Sequence, residues 1–463
     1  MILPPQDPFL CRILLYRNDA AEILLETHQD GLRLPVLAVP PHGRPAEEIT
    51  AAIQSAWNVR TYCLFPLPAS SLDHPFVRDH VVEACHPQND SPATMQWFSV
   101  TSLSEGVFQT PSDFASIKCS LALLEQHRRN ELPGAFGKPG WLCTVTEWVE
   151  AQANAAGLHL NGKFHQLNAS TTFSLIRFET DNSALWFKAV GEPNLHEYRL
   201  TLKLSSIFPE YLPRVVAARH KWNAWLTVES DGTSLEATPS SAAWSVAAEN
   251  LALLQMSSFD RRFELIKTGC KDFRPGSVVH LIDPFFEAVA ELMERQVKPS
   301  PAPLTRCELR SLSNDIASSV EDLGACAVPN TLGHLDMNAG NLIVSARNCI
   351  FLDWAEGYIG PPFLSAQYLL EQLRRLHGPD SLHERSVRSV YTRTWTRFVS
   401  PSEIDFAFDR VPLVAAFLYA AGSGAWRKPD CIRPESAGLL RSLARRMKRE
   451  ADALQARRPP CPL

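Results

Sequence analysis

The segment His334–Trp354, HLDMNAGNLIVSARNCIFLDW, constrains this chain more than any other. Its apolar runs Leu342–Ser345 and Cys349–Leu352 flank Ala346–Arg347–Asn348 and predict a strand pair. With the turn centred on Arg347, Ser345 faces Cys349, Val344 faces Ile350, Leu342 faces Leu352 and Asn341 faces Asp353. Opposed residues carry Cβ atoms about 4.5–5.5 Å apart. An amide oxygen and a carboxylate are therefore expected together at the open end of the hairpin. Asp336 enters that end five residues before Asn341. Two carboxylates and an amide suit a hard cation such as Mg²⁺, which takes oxygen ligands and keeps room for phosphate oxygens and water.

Around this hairpin the chain looks like an ordinary globular protein. Of 463 residues, 45% are apolar and 21% charged, which excludes a disordered chain or a coiled-coil rod. A net charge of −5 gives no global field for nucleic acid or acidic lipid, and neither partner is expected. No run of about 18 apolar residues occurs, so no membrane span is expected. The start MILPPQDPFLCR lacks a basic-then-apolar leader, and the 11 cysteines contain no CxxC pair. Free thiols in the cytoplasm are the expectation.

A second chemical feature lies upstream. Thr172–Phe178 and Ala184–Val190 predict two strands around a Thr180–Ser183 turn, and Asn194–Ser206 a helix. The two-residue strand period sets Trp186, Lys188 and Val190 on one face of the second strand. A lysine on a partly buried face needs a partner. Glu197, nine residues on, is the candidate; Glu192 precedes Pro193 and is expected in a loop. A further strand, Trp225–Glu229, follows. After Pro239 the periodicity predicts helices over Ser241–Ser257, Pro284–Gln296, Cys307–Leu323, Leu364–Leu376, His383–Phe398, Pro401–Ala421 and Glu435–Ala456. In the last, Leu440, Leu443, Met447, Ala451 and Leu454 share an apolar face, leaving RSLARRMKRE a solvated basic side.

From about residue 158 to the end, HxDxxxxN followed by a hydrophobic hairpin ending in Asp353–Trp354 resembles the aminoglycoside phosphotransferase family and its choline and fructosamine kinase relatives. The resemblance implies an α+β, two-lobed protein-kinase-like fold with a small β-rich lobe and a helical lobe. It implies transfer of phosphate from ATP or GTP to a hydroxyl of a small molecule, with Mg²⁺. Asp336 would orient the acceptor hydroxyl or take its proton. Asn341 and Asp353 would hold the metal, and His334 would be structural. Lys188, paired with Glu197, would contact the nucleotide phosphates. The phosphate-covering loop would be Leu167–Thr172, with Ser170 and Thr171, and the adenine hinge would lie near Glu229. Two positions depart from the family: Leu335 stands where glycine is common, and Asn338 where histidine or proline is frequent. Tyr358, Gln367, Tyr368 and Trp426 are expected at the acceptor pocket, and Glu356 could face it.

The first 130 residues read differently. Strands are expected over Leu10–Tyr16, Glu22–Leu25, Leu32–Leu37, Arg60–Leu67, Asp79–Cys85 and Thr94–Val100, with a helix over Pro45–Trp57. This order weakly resembles the Nudix hydrolase fold. The helix EEITAAIQSAW carries Ala51, Ala52, Ser55 and Ala56 where that family clusters metal-binding glutamates, so a non-catalytic Nudix-like module is expected. Pro133 and Pro139 mark a joint, and Trp141, Val145, Trp148 and Val149 recur at helical spacing in a bridging helix. The expected domains are 1–130, a linker and helix over 131–158, and kinase-like lobes over 159–235 and 236–463. An alternative reading is a pseudokinase-like regulatory protein that binds nucleotide or metabolite and reaches a protein partner through the N-terminal module.

Overall fold

The computed structural model describes residues 9–40, 44–67, 77–85, 94–132, 136–170, 172–238, 240–379, 381–428 and 432–457. Pro133, Thr171 and Pro239 lie outside them. The chain forms two compact units: Met1–Tyr198 with Arg214–Glu229, and Arg199–Pro213 with Ser230–Leu463. The α+β class agrees with the sequence reading.

The first unit opens with β1 (Phe9–Arg17), β2 (Glu22–His28), β3 (Gly31–Arg33) and β4 (Val36–Val39). Leu34–Pro35 splits the single strand expected at Leu32–Leu37, because proline cannot donate to the ladder. Helix α1 covers Pro45–Trp57, as expected, and buries Ala46, Ile49, Ile53 and Trp57. Then come β5 (Thr61–Pro66), β6 (Val77–Ala84) and β7 (Met95–Ser99). The sheet order is β3-β2-β1-β6-β5, with β4 on β1 and β7 on β2; β1 and β6 run parallel. Helix α2 (Pro111–Arg128), unforeseen in the sequence, follows. Its buried face is polar in part, with Asp113, Ser116, Ser120 and His127, so apolar periodicity did not reveal it.

Helix α3 (Trp141–Ala155) leads into a second sheet. Its strands are β8 (Leu160–Ser170), β9 (Phe173–Thr180), β10 (Ala184–Val190), β11 (Val215–Arg219) and β12 (Ala224–Val228), in the order β11-β12-β10-β9-β8. Helix α4 (Leu195–Ile207) follows β10 in the chain. The two sheets of this unit share one hydrophobic core. Tyr62, Leu64 and Phe65 of β5, Trp141, Val145 and Val149 of α3, and Ile176, Phe178 and Phe187 of the second sheet bury in a single cluster. Each such large side chain contributes about 1.5–3 kcal/mol. Polar side chains fix the seam. The Gln166 amide donates to the Cys63 carbonyl (2.8 Å) and accepts from its N–H (2.7 Å), so a side chain on β8 pairs with β5 as a strand would.

The second unit is mostly helical. After β13 (Thr233–Ser234) come α5 (Ser241–Ser257), α6 (Arg262–Thr268), β14 (Lys271–Asp272), α7 (Pro275–Glu294) and α8 (Arg306–Ala325). Helix α7 starts at Pro275, nine residues before the expected Pro284. Proline is tolerated in a first turn, whose N–H groups lack intrahelical partners. Pro284 then sits mid-helix, where burial of Val278, Ile282, Phe285, Phe286 and Val289 outweighs the lost backbone bond. Next are β15 (Thr331–His334), β16 (Leu342–Val344), β17 (Cys349–Phe351) and β18 (Gly357–Gly360). Helices α9 (Phe363–His377), α10 (Leu382–Trp395), α11 (Pro401–Gly422) and α12 (Pro434–Arg457) complete it. On α12 the expected apolar face is buried. Among the described residues no helix is long and apolar enough to cross a membrane, and the cysteines, including Cys11, Cys63, Cys270 and Cys349, are free thiols.

Candidate functional site

Strand β15 is buried at all four residues and pairs antiparallel with β18, which also takes β14 in parallel. Gly333 lies directly opposite Tyr358. A Cβ at Gly333 would stand 2.1 Å from the tyrosine ring, so only glycine allows this approach. The Tyr358 hydroxyl donates to the Pro361 carbonyl at 3.0 Å and lies 3.0 Å from Ser365 Oγ, which also accepts from the His334 N–H at 2.8 Å. Beyond His334 the chain alternates. Leu335, Met337 and Ala339 are buried, while Asp336 and Asn338 face out. The departure at Leu335 is thus an inward anchor, 5% exposed, and it leaves Asp336 presented.

His334, expected as a structural member of the loop, uses both ring nitrogens within it. Its Nδ1 accepts from the Asp336 N–H at 3.1 Å, so the proton sits on Nε2, which donates to the Leu352 carbonyl at 2.9 Å. The ring packs on Trp354, centroids 4.8 Å apart.

The hairpin register differs from the expected one by a residue. Leu342 pairs with Phe351, Ile343 with Ile350 and Val344 with Cys349. The Ser345 N–H donates to the Asn348 carbonyl, making a tight turn over Ala346–Arg347 in place of a three-residue loop. The Leu352 N–H donates to the Asn341 carbonyl at 2.9 Å, so Asn341 meets Leu352 and Asp353 lies one residue further. Asp353 takes a left-handed backbone, φ 60° and ψ 66°, and turns the chain out of the strand. That conformation is uncommon outside glycine, with Asp and Asn the residues that adopt it most readily.

Asp336 and Asn341 do come together. Asn341 Nδ2 donates to Asp336 Oδ2 at 3.0 Å and to the Asp336 carbonyl at 3.3 Å. The amide nitrogen is thereby committed, and the amide oxygen is the atom left for a cation. The backbone places Asp353 next along the chain from the Asn341–Leu352 pairing, and its carboxylate with that amide oxygen would be the kind of oxygen donors Mg²⁺ takes. Among the described residues no group of three or more His, Cys, Asp or Glu is placed to hold a metal ion.

A cavity of about 350 Å³ opens beside Asp336. Its walls are Leu335, Tyr419 and Ala420 of α11, and Leu439, Leu440 and Leu443 of α12, with Ser423 and Ser436. Glu356 lines it, as the sequence allowed. The other expected pocket residues do not. Tyr358 is fully buried beneath Gly333, Gln367 is 2% exposed, the Tyr368 hydroxyl donates to the Ala415 carbonyl, and Trp426 Nε1 donates to the Ala421 carbonyl. Sequence reading missed Tyr419 and Leu439. Leu439 falls off the apolar stripe of α12 yet is a leucine, the one signal that was available.

In the first unit, Lys188 pairs with Leu175 and Trp225 across its sheet. Its Nζ donates to Glu197 Oε1 at 2.5 Å and lies over the rings of Phe173 (5.1 Å) and Trp225 (5.7 Å). Glu197, in the first turn of α4, is 2% exposed. Ser170 ends β8, and its hydroxyl accepts from the Thr172 N–H at 3.2 Å. The expected covering loop is therefore shorter than Leu167–Thr172, since Leu167–Ser170 are strand. Thr171 lies outside the described residues. Glu229 follows β12; its carboxylate takes Arg177 Nε at 2.8 Å and Trp186 Nε1 at 3.2 Å, and its N–H donates to the Ala184 carbonyl. The hydrogen bond from Arg177 holds that carboxyl below its usual range.

No protein-family model and no curated protein matches the chain. Solved structures similar to it include an ethanolamine kinase from Plasmodium vivax, at 13% identity and a TM-score of 0.46, over 73% of this chain and 93% of that one. The macrolide 2'-phosphotransferase MphH from Brachybacterium faecium aligns at 14% identity and 0.42, over 64% and 97%. Choline kinase LicA from Streptococcus pneumoniae aligns at 14% and 0.42, over 66% and 98%. These likenesses are too distant to bear on what this chain does, and the functional reading rests on its own residues.

Proposed function

We propose that the protein is a kinase of a small-molecule hydroxyl, using a nucleoside triphosphate and Mg²⁺. The observation that carries this is the loop and hairpin of the second unit. Asp336 is presented on an anchored loop and hydrogen-bonded to Asn341, and the same hairpin delivers Asp353 one residue past the Asn341–Leu352 pairing. Asn341 and Asp353 would hold the metal, which supplies charge neutralisation at phosphate oxygens when bound. Asp336 orients the acceptor hydroxyl. The acceptor oxygen bonds to the γ-phosphorus as the bridging P–O bond breaks, nucleoside diphosphate leaves, and the hydroxyl proton passes to the Asp336 carboxylate. Lys188, oriented by Glu197, serves the nucleotide phosphates, and Ser170, Thr171 and Glu229 are proposed at the nucleotide as the resemblance implies.

The test is nucleoside diphosphate release from Mg·ATP and Mg·GTP with a panel of hydroxyl compounds. Asp336→Asn keeps an acceptor for the Asn341 amide but loses the base. Its kcat should fall by about 10²–10⁴, as for removal of a general base, while Mg·nucleotide affinity stays near wild type. A variant as active as wild type would remove Asp336 from the chemistry.

A further inference from the structure

Resting on that reading, the cavity beside Asp336 narrows the acceptor class: we infer an alcohol with an apolar body and no clustered positive charge. Three observations point there. First, the walls are dominated by leucine, tyrosine and alanine: Leu335, Tyr419, Leu439, Leu440 and Leu443 stand around two carboxylates, Asp336 and Glu356. Second, Tyr419 and Leu439 are large apolar side chains left 51% and 52% exposed, and both lie on this cavity. An apolar ligand would cover them and remove that area from water. Third, the other carboxylate of the cavity already has a cation as its partner. Glu356 pairs with Lys271 of β14, whose Nζ also reaches the Gly422 carbonyl at 3.4 Å. A polycationic acceptor would find one catalytic acid and a fixed lysine nearby, not an acidic pocket. The hydroxyls of Ser423 and Ser436 are left to orient polar substituents on the acceptor.

The roles divide by position. Asp336 takes the reacting hydroxyl, Tyr419 and Leu439 hold the apolar body, and Lys271 acts through Glu356 as a residue that sets charge selectivity. The probes are 4-phenylbutan-1-ol, 6-aminohexan-1-ol and the aminocyclitol kanamycin. Each is titrated into the full-length protein with and without Mg²⁺ and a non-hydrolysable ATP analogue, by calorimetry. The phenyl alcohol should bind at least about tenfold tighter than either cation, the margin about one lost ionic or apolar contact provides. Leu439→Asp, a change at a half-exposed position, should reverse that preference. Lys271→Met should raise affinity for the amino alcohol several-fold by freeing Glu356. Equal or tighter binding of the cations by wild type overturns the inference, as does an amino-alcohol affinity unmoved in Lys271→Met. So does binding of the nucleotide analogue with no binding of any alcohol. If the phenyl alcohol binds but the nucleotide analogue does not, the cavity assignment stands and the kinase reading falls.

Discussion

The backbone N–H of Asp336 donates to Nδ1 of His334 at 3.1 Å, and the far side of the same ring donates to the Leu352 carbonyl at 2.9 Å. One buried imidazole thus ties the loop that presents Asp336 to the residue before Asp353. Replacing His334 with alanine leaves both backbone groups without that partner, a loss of about 1–3 kcal/mol. We expect His334→Ala to lower the unfolding midpoint and to reduce kcat at least about tenfold through misplacement of Asp336. Steady-state kinetics with thermal unfolding checks both. Unchanged kcat in a destabilised variant would make the ring a packing element only.

The Lys188–Glu197 pair gives a second expectation. Glu197 is 2% exposed, so Lys188 supplies positive charge to a buried carboxylate. Breaking such a pair costs about 3–5 kcal/mol, more than replacing both members. Lys188→Met should therefore be less stable than Lys188→Met/Glu197→Gln in chemical denaturation. Both should bind Mg·nucleotide more weakly than wild type. A double variant no more stable than the single one would argue that other partners carry the lysine.

Stability should also depend on pH through Glu83. Burial pushes its carboxyl up from an ordinary value near 4.5 to about 7, against the Gly140 N–H that donates to both oxygens at 2.9 and 3.0 Å. The folded pKa lies above the unfolded one, so the neutral acid is favoured on folding. Its contribution is complete below about 4.5 and is lost as pH rises through about 7. Glu83→Gln keeps an acceptor for Gly140 and removes the titration. It should flatten the fall in unfolding free energy between those values and be at least as stable as wild type at pH 8. A pH profile that is identical in wild type and variant would contradict this.

The shared core of the first unit predicts the outcome of truncation. Tyr62, Leu64 and Phe65 bury with Ile176, Phe178 and Phe187 in one cluster, and Gln166 bonds both the N–H and the carbonyl of Cys63. A chain beginning at residue 131 exposes the apolar faces of Trp141, Phe178 and Phe187. We expect it to be insoluble or to lack a cooperative unfolding transition, measured by circular dichroism. A soluble, cooperatively folding fragment would show that the second sheet needs no support from the first.

How much of this was legible in the sequence depended on how local the determinant was. Helices α1, α5 and α12 and strand β10 followed from periodicity and flanking prolines, because each is set within a few turns of chain. Lys188 found Glu197 because strand and helix are neighbours in sequence. The hairpin register slipped by one because a tight turn over Ala346–Arg347 competes with a three-residue loop at nearly the same sequence cost, and Asp353 leaves the strand through a left-handed backbone no composition foretells. The cavity residues were misplaced for a different reason. Tyr358, Tyr368 and Trp426 bury their polar tips on backbone carbonyls, whereas Tyr419 and Leu439 stay open; that choice is made by packing between distant helices. The common core of the two sheets is likewise built from residues over a hundred positions apart, as in the Cys63–Gln166 bonds.

The most direct test of the kinase reading is calorimetric titration of Mg²⁺ with a non-hydrolysable ATP or GTP analogue into wild type and Asp353→Asn. Wild type should bind the nucleotide, and the affinity should fall by at least about tenfold on chelation of Mg²⁺ and in Asp353→Asn, as loss of a metal ligand requires. Absence of nucleotide binding by wild type, or binding indifferent to both Mg²⁺ and Asp353, would contradict the assignment of this hairpin to phosphoryl transfer.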